Sequence, residues 1–355
     1  MGQQFRAAVI GCGRPRVEEG ATGFGMAHSH VHGYLATGRC QLAAVADISR
    51  ENAEAFVARY GGTAGVYRDY HEMLAAEKPD VVSVCTWPHL HAPMVLAAIG
   101  AGVRAVHCEK PMAPTWGEAR RMHAAAVARG VQLTFNHQRR FLEPFRLARR
   151  LLREGAIGEL RRIEGACGDM IDWGTHWLDM FFFYNGETPA EWVLGQVDGR
   201  EERKIFGLPV ESQGLSQVRF SNGVVGLLFA GYGQDIGCAN RLVGAEGVLE
   251  LHNTAPHVRL RGRGDVAWRT YPTREGLHGG IAIDRGIADL LSCLENGAEP
   301  ELSSHKAVRC TEVIFATYES SRRRGRVDLP LEQEDSAFLT LLAQGQWGET
   351  GPDPA

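Results

Sequence analysis

The chain lacks a dominant charge: 38 Lys and Arg stand against 42 Asp and Glu over 355 residues, a net charge of −4. Neutralising a phosphate backbone requires clustered cations, so nucleic acid is excluded as the main partner. The pairs and triplets Arg149-Arg150 and Arg322-Arg323-Arg324 read as solvated helix faces or ends. There is no CxxC pair. Eight cysteines without regular spacing argue against a zinc cage and for reduced thiols. No apolar run reaches membrane-spanning length, so no membrane partner is expected. The N-terminal Met-Gly-Gln-Gln passes directly into an apolar strand, without the basic, apolar and cleavage regions of a secretory leader. A cytoplasmic protein is the simplest expectation.

The composition, 44% hydrophobic and 23% charged, is that of a globular protein long enough for two domains. Ala7 to Ile10 is a short apolar strand running into Gly11-Cys12-Gly13, the beginning of a phosphate-binding turn, in which glycines let backbone amides approach a diphosphate. The third glycine is displaced. Arg14 to Phe24 intervenes before Gly25-Met26, where a helix begins, so about ten residues are inserted inside the turn. Leu42 to Ala46 forms the second strand and ends on Asp47, a carboxylate placed to accept ribose hydroxyls and to repel a 2′-phosphate. Counted from Gly25, that separation is the expected one of roughly twenty residues.

Helices are expected over Arg50 to Tyr60, capped by Ser49, around Tyr70 to Glu77, over Pro93 to Ala101, and up to Arg129 from a Thr115/Glu118 capping box. Strands at Val81 to Cys85, from Ala105 and at Gln132 to Phe135 alternate with them. This alternation implies a doubly wound parallel sheet, with the Thr86 loop, Glu109-Lys110-Pro111 and Asn136 at its carboxyl edge, where ligands bind. Lys110 before a proline must leave its strand extended.

After Phe141 the character changes. A helix over Pro144 to Glu154 and a strand over Leu160 to Ala166 precede Asp172-Trp-Gly-Thr-His176-Trp-Leu-Asp179. Ser216 to Phe220 and Val224 to Phe229 flank an Asn222-Gly223 turn, and Arg241 to Val243 and Val248 to Leu251 flank Glu246-Gly247, both strong antiparallel signals. Helices near Ile281 to Leu294 and Ser304 to Arg323 follow, with a frayed tail beyond Phe338. The expected fold is an α/β Rossmann dinucleotide-binding domain (1–136), an α+β domain with a large, mostly antiparallel open sheet (137–340), and a tail (341–355).

The residues Val9-Ile-Gly-Cys-Gly, Cys108-Glu-Lys-Pro111, Asn136-His-Gln-Arg-Arg-Phe141, Asp172-x-Gly-x-His-x-x-Asp179 and Gly244-Ala-Glu-Gly247 together resemble the glucose-fructose oxidoreductase, inositol dehydrogenase and rhizopine-catabolism family, Gfo/Idh/MocA. The resemblance implies a nicotinamide cofactor in the first domain, a polyol or sugar against the second sheet, a cis Lys110-Pro111 bond, and association through that sheet into a homodimer or homotetramer. NAD is expected over NADP because of Asp47. The cofactor set is then Gly11, Cys12, Gly13, Gly25, Met26, Asp47, Ile48, Arg50, Thr86, Trp87, His89, His91, Glu109 and Lys110. The substrate set is Asn136, Gln138, Arg140, Asp172 and His176.

Oxidising a carbinol needs a base for the hydroxyl proton and a cation near the developing alkoxide. Asp172, His176 and Asp179, at i, i+4 and i+7, would share one helix stripe. His176 reads as the base and Asp172 as its orienter or a substrate ligand; by resemblance Lys110 is the cation. The alternative reading makes Asp172 a helix cap and His176 a packed polar residue. His28, His30 and His32 lack a carboxylate at ligand spacing, so no metal is expected. Three functions fit this constellation: an NAD-dependent dehydrogenase of a sugar, inositol or polyol hydroxyl; a glycoside-cleaving enzyme using transient oxidation; and a non-catalytic NAD-binding regulator. The insertion reads either as a flap over the dinucleotide, with Glu18 and Glu19 facing solvent or a neighbouring subunit, or as a neutral surface loop.

Overall fold

The computed structural model describes residues 4–60, 62–252 and 257–346. The chain divides into two compact units, one of residues 1–113, 118–141 and 279–308, the other of 114–117, 142–278 and 309–355.

The first unit is a six-stranded parallel sheet of β1 (Phe5–Ile10), β2 (Cys40–Ala46), β3 (Gly65–Tyr67), β4 (Val81–Val84), β5 (Ala105–Cys108) and β6 (Gln132–Phe135), in the order β3-β2-β1-β4-β5-β6. The direction of winding reverses between β1 and β4, the switch point at which open α/β sheets bind ligands. Strands β4 and β5 are buried at every position, as a sheet covered on both faces requires. The crossovers are α1 (Met26–Ala36), α2 (Arg50–Tyr60), α3 (Tyr70–Glu77), α4 (Pro88–Gly100) and α5 (Trp116–Arg129). Helix α4 begins five residues before the sequence expectation. Pro88 occupies its first turn, where a missing N–H costs nothing, and Pro93 is carried within the helix rather than opening it.

Residues 279–308, which a division at 136/137 places with the second domain, return to the first unit. Packing explains this: Ile283, Ile287, Leu290 and Leu291 of a helix over Ile281–Asn296 share one buried cluster with Phe5, Ala7 and Tyr34. At Gly33 a Cβ would lie 2.7 Å from Ile287 Cδ1, so the close approach of the two helices depends on that glycine.

The second unit holds α6 (Glu143–Arg153), β7 (Leu160–Cys167), α7 (Gly174–Tyr184), β8 (Ala190–Asp198), the short hairpin β9 (Lys204–Ile205) and β10 (Leu208–Pro209), and β11 (Gln213–Phe220), β12 (Val225–Gly231), β13 (Asn240–Gly244), β14 (Gly247–Leu251), β15 (His257–Gly262), β16 (Arg269–Pro272) and β17 (Val327–Asp328). Nine strands form one sheet, β16-β15-β14-β13-β7-β12-β11-β8-β17, antiparallel except where β12 meets β7. With α8 being the helix over Ile281–Asn296, the last helices are α9 (Ser304–Arg323) and α10 (Ala337–Ala343). Helix α7 is buried throughout its length and seats Phe181 on the sheet, where a Cβ on Gly226 would lie 2.7 Å from the ring. The end of the chain differs from the expected frayed tail: Ser336 caps α10 and Phe338 is buried. Residues 347–355 lie outside the described residues.

Candidate active site

The glycine turn is built as the sequence implies, with its insertion looped out. Gly11, Gly13 and Gly25 all have positive φ (85°, 56° and 65°). A Cβ on Gly25 would lie 2.6 Å from the Arg14 carbonyl oxygen, so the chain leaves after Gly13 and returns beside it, restoring the three-glycine turn in space. Gly11 faces the loop after β4: a Cβ there would meet Thr86 Cγ2 at 2.7 Å. Gly13 has open space where its Cβ would be, which leaves its backbone accessible to a diphosphate. These residues fit a dinucleotide cofactor.

Asp47 reaches the turn itself. Its Oδ2 accepts from the Cys12 and Gly13 amides at 2.8 and 3.1 Å, and its Oδ1 from the Ser49 amide at 2.8 Å. The expected ribose acceptor therefore also fastens the glycine turn to the end of β2. Ile48 beside it is 86% exposed, an apolar side chain available to a flat base. Arg50 is turned along α2 to Glu54 at 2.7 Å, an exposed i,i+4 pair. Cys12 is buried and its thiol is pushed up by burial and by Asp47. Met26 opens α1.

The insertion is tethered rather than free. Arg14 bonds Glu51 and Asn52 of α2 and the Glu19 carbonyl, and Arg59 bonds Glu18 at 2.5 Å. Glu18 and Glu19 are exposed, as expected, and Glu18 also meets an arginine of its own unit. Arg16 lies over the Phe24 ring at 4.5 Å. Gly13, Arg14, Glu18, His28, Asn52 and Arg59 are among the residues lining a cavity of about 190 Å³ here.

On α4, the exposed His89 stands edge-on to Trp87 with ring centroids 6.1 Å apart, and Trp87 is 40% exposed. His89 lies in the first helical turn of α4, and Trp87 is the extended residue just before it. His91 is buried, its Nδ1 2.9 Å from the Pro111 carbonyl and its Nε2 3.1 Å from that of Thr86; burial lowers its pKa. It caps no helix and instead fastens the loop after β4 to the loop after β5. That second loop carries the cis Lys110-Pro111 bond.

Lys110 is half-buried at the sheet edge, whereas Glu109 turns inward. Glu109 Oε1 lies 2.9 Å from His30 Nε2 and accepts from Asn136 Nδ2 at 2.7 Å. Burial alone would raise its pKa; the His30 hydrogen bond and charge, Lys110 and Asn136 outweigh this and hold it down at about 2. The carboxylate expected at the cofactor is therefore committed beneath Lys110. His30 Nδ1 continues to Ser83 Oγ at 3.0 Å, which Tyr34 OH also reaches at 2.9 Å. Neither His30, Ser83 nor Tyr34 was in the sequence-derived site. The available signal was a polar face on α1 turned to an otherwise apolar sheet. His28 and His32 go elsewhere, to Tyr60 and Asp284.

Asn136 Oδ1 and Gln138 Oε1 are buried acceptors without a hydrogen-bond partner, which a hydroxyl-rich ligand would satisfy. Arg140, expected in the substrate set, has a fully buried side chain with Nη1 3.1 Å from Glu301 Oε1.

In the second unit, His176 lies in the first turn of α7 and is buried, as is Asp179. Asp172 precedes the helix, so the three residues do not form one helical stripe. Asp169 holds the turn that leads into the helix: its Oδ1 accepts from the Asp172 and Trp173 amides at 2.5 and 3.3 Å.

Residues 5–137 match the family model GFO_IDH_MocA, described as an oxidoreductase family with an NAD-binding Rossmann fold. D-apiose dehydrogenase of Paraburkholderia graminis is 27% identical over 97% of this chain and 94% of its own length. D-glucoside 3-dehydrogenase of Escherichia coli is 32% identical over 51% of this chain, about half (54%) of its own length. Levoglucosan dehydrogenase in complex with NADH and L-sorbose superimposes with a TM-score of 0.79 at 21% identity, covering 93% of this chain and all of that one. The first unit is an NAD-binding Rossmann domain. No helix among the described residues is long and apolar enough to cross a membrane.

Proposed function

We propose that this chain, whose residues 5–137 match the Gfo/Idh/MocA oxidoreductase family model, is an NAD-dependent dehydrogenase acting on a secondary hydroxyl of a sugar, inositol or related polyol. The observation that carries the reading is the glycine turn of Gly11, Gly13 and Gly25 fastened to Asp47 in the same unit that presents Lys110 at the carboxyl edge of its sheet. We assign cofactor binding to the first unit and substrate selection to the second. Bound NAD would supply the hydride acceptor; Gly13, Gly25, Met26, Asp47 and Ile48 would hold its adenosine and diphosphate half, and Thr86, Trp87 and His89 the nicotinamide half.

The chain supplies the rest. We assign His176 as the base that takes the hydroxyl proton at a ring nitrogen, and Asp172 as its orienter or a ligand of a neighbouring hydroxyl. Lys110 stabilises the negative charge developing on the carbinol oxygen. Asn136 Oδ1 and Gln138 Oε1 would accept hydrogen bonds from further hydroxyls, a demand that sugars and inositols meet and simple alcohols do not. The carboxylate of Asp47 disfavours a 2′-phosphate, so NAD is the expected coenzyme over NADP. We place the reaction in the cytoplasm, in keeping with eight free thiols. Association into a homodimer or homotetramer is proposed through the open face of the second sheet, where Leu194 and Leu215 are 43% and 41% exposed; light scattering showing only monomer at micromolar protein would refute it. A panel of sugars and inositols assayed with NAD and with NADP tests the activity. Reduction of neither coenzyme by any member would overturn it.

A further inference from the structure

The segment Gly168 to Trp173, which leads from β7 into α7, rests on a buried acidic side chain from a different part of the sheet. Glu211, immediately before β11, is fully buried. Its Oε1 accepts from the Met170 amide at 2.5 Å and its Oε2 from Tyr318 OH of α9 at 2.8 Å. Asp169, also fully buried, holds the next turn through the Asp172 and Trp173 amides, while its carbonyl accepts from the Gly174 amide at 2.8 Å. Arg203 joins the two strands of this arrangement, with Nη1 3.0 Å from the Gly168 carbonyl and 2.9 Å from that of Glu211.

We propose that Glu211 is a positioning residue for the reaction assigned above: clamped by Tyr318, its carboxyl fixes Met170 and, together with Asp169, sets the conformation in which Asp172 and His176 are presented. A buried carboxyl is costly unless it has work to do, and here both of its oxygens are spent on a single loop and the helix behind it. This inference rests on the proposed dehydrogenase reading for its catalytic consequence, but the conformational claim stands on the second unit alone.

Charge makes the arrangement sensitive to pH. The groups facing Glu211 are Asp169 in the loop, Tyr318 from α9, and the Arg203 guanidinium on its backbone carbonyl. Burial, then the charge of Asp169, push Glu211 up to about 7, against the Tyr318 and Met170 hydrogen bonds that favour its charged form. Tyr318 is raised well above its usual value by burial and by Glu211, so it remains a phenol donor. The folded loop thus favours the neutral acid, and ionisation sets two carboxylates against each other beneath α7.

The test combines hydrogen exchange of the peptides covering 167–177 with steady-state kinetics on the full chain. In the wild type, exchange of these peptides, corrected for intrinsic rates, should rise between pH 6 and pH 8; in Glu211→Gln it should stay flat, with turnover within a few-fold of wild type. Glu211→Ala and Tyr318→Phe should speed exchange at both pH values and lower kcat, the former by roughly 10²-fold, with NAD affinity unchanged. If Glu211→Ala does not fold, Tyr318→Phe and the pH series of Glu211→Gln decide. Unchanged exchange in Tyr318→Phe, or a fall in turnover without any change in exchange, would overturn the proposal. Should His176→Ala keep full turnover, the catalytic assignment fails while the exchange result still judges the positioning claim.

Discussion

A single carboxylate at Asp47 has two duties: it closes the glycine turn through the Cys12 and Gly13 amides and it sits where ribose hydroxyls would arrive. Asp47→Ala should therefore weaken NAD binding at least tenfold, an effect of about 1.4 kcal/mol or more by titration, and abolish the preference over NADP. Retained preference would show that discrimination lies elsewhere. His30 is the comparable residue beneath Lys110. Removing it takes a hydrogen bond from the buried Glu109 carboxylate and leaves it with Asn136, so His30→Ala should cost about 1.5–3 kcal/mol in denaturant unfolding, as loss of a hydrogen bond to a charged group does. A loss under about 1 kcal/mol would mean that water or Asn136 alone satisfies Glu109. The pairing was not legible in sequence, because His30 and Glu109 are 79 positions apart and only the parallel order of β1, β4 and β5 brings them together.

The parallel strands, the two Gly-containing hairpins and the helices over Arg50–Tyr60, Tyr70–Glu77 and Ser304–Arg323 were readable because apolar period and end signals agreed there. Where local signals competed, tertiary structure decided. Pro93 imitated a helix start that belongs to Pro88, and Asp172 falls in the turn before α7 rather than on the helix. The return of α8 to the first unit depends on Gly33 and Ile287 fitting together, which no local signal in the sequence announces. The 14–24 insertion was legible as an interruption but not in its tethers. Because the chain exits and re-enters beside Gly13, deleting Pro15 to Thr22 should leave the glycine turn intact. Its exposed ion pairs to α2 contribute little, so unfolding stability should stay within about 0.5 kcal/mol. Stopped-flow measurement should then show faster NAD release, the loop having walled the cavity beside Gly13 and α2. An unchanged rate would make the insertion a surface loop without a role at the cofactor.

For the whole chain, the two units carry buried carboxyls of opposite pH behaviour. Glu109, held at about 2 against an ordinary 4.5, adds stability that is present above 4.5 and lost as pH falls toward 2. Glu211, raised from 4.5 to about 7, contributes fully below 4.5 and loses that contribution as pH rises through 7. The second effect amounts to roughly 3 kcal/mol, so wild type should be more stable relative to Glu211→Gln at pH 5 than at pH 8 by denaturant unfolding. Equal differences at both values would place Glu211 in a more polar setting. The central claim is net oxidation of a polyol hydroxyl by NAD through Lys110 and His176. The most direct measurement is absorbance at 340 nm with NAD and the best polyol of a sugar and inositol panel, for wild type, Lys110→Ala and His176→Ala, each first shown to bind NAD. The account predicts steady NADH accumulation in the wild type and turnover lowered on the order of 10²–10⁴-fold in each variant. Near-normal turnover in either variant, or consumption of substrate without NADH, would contradict it.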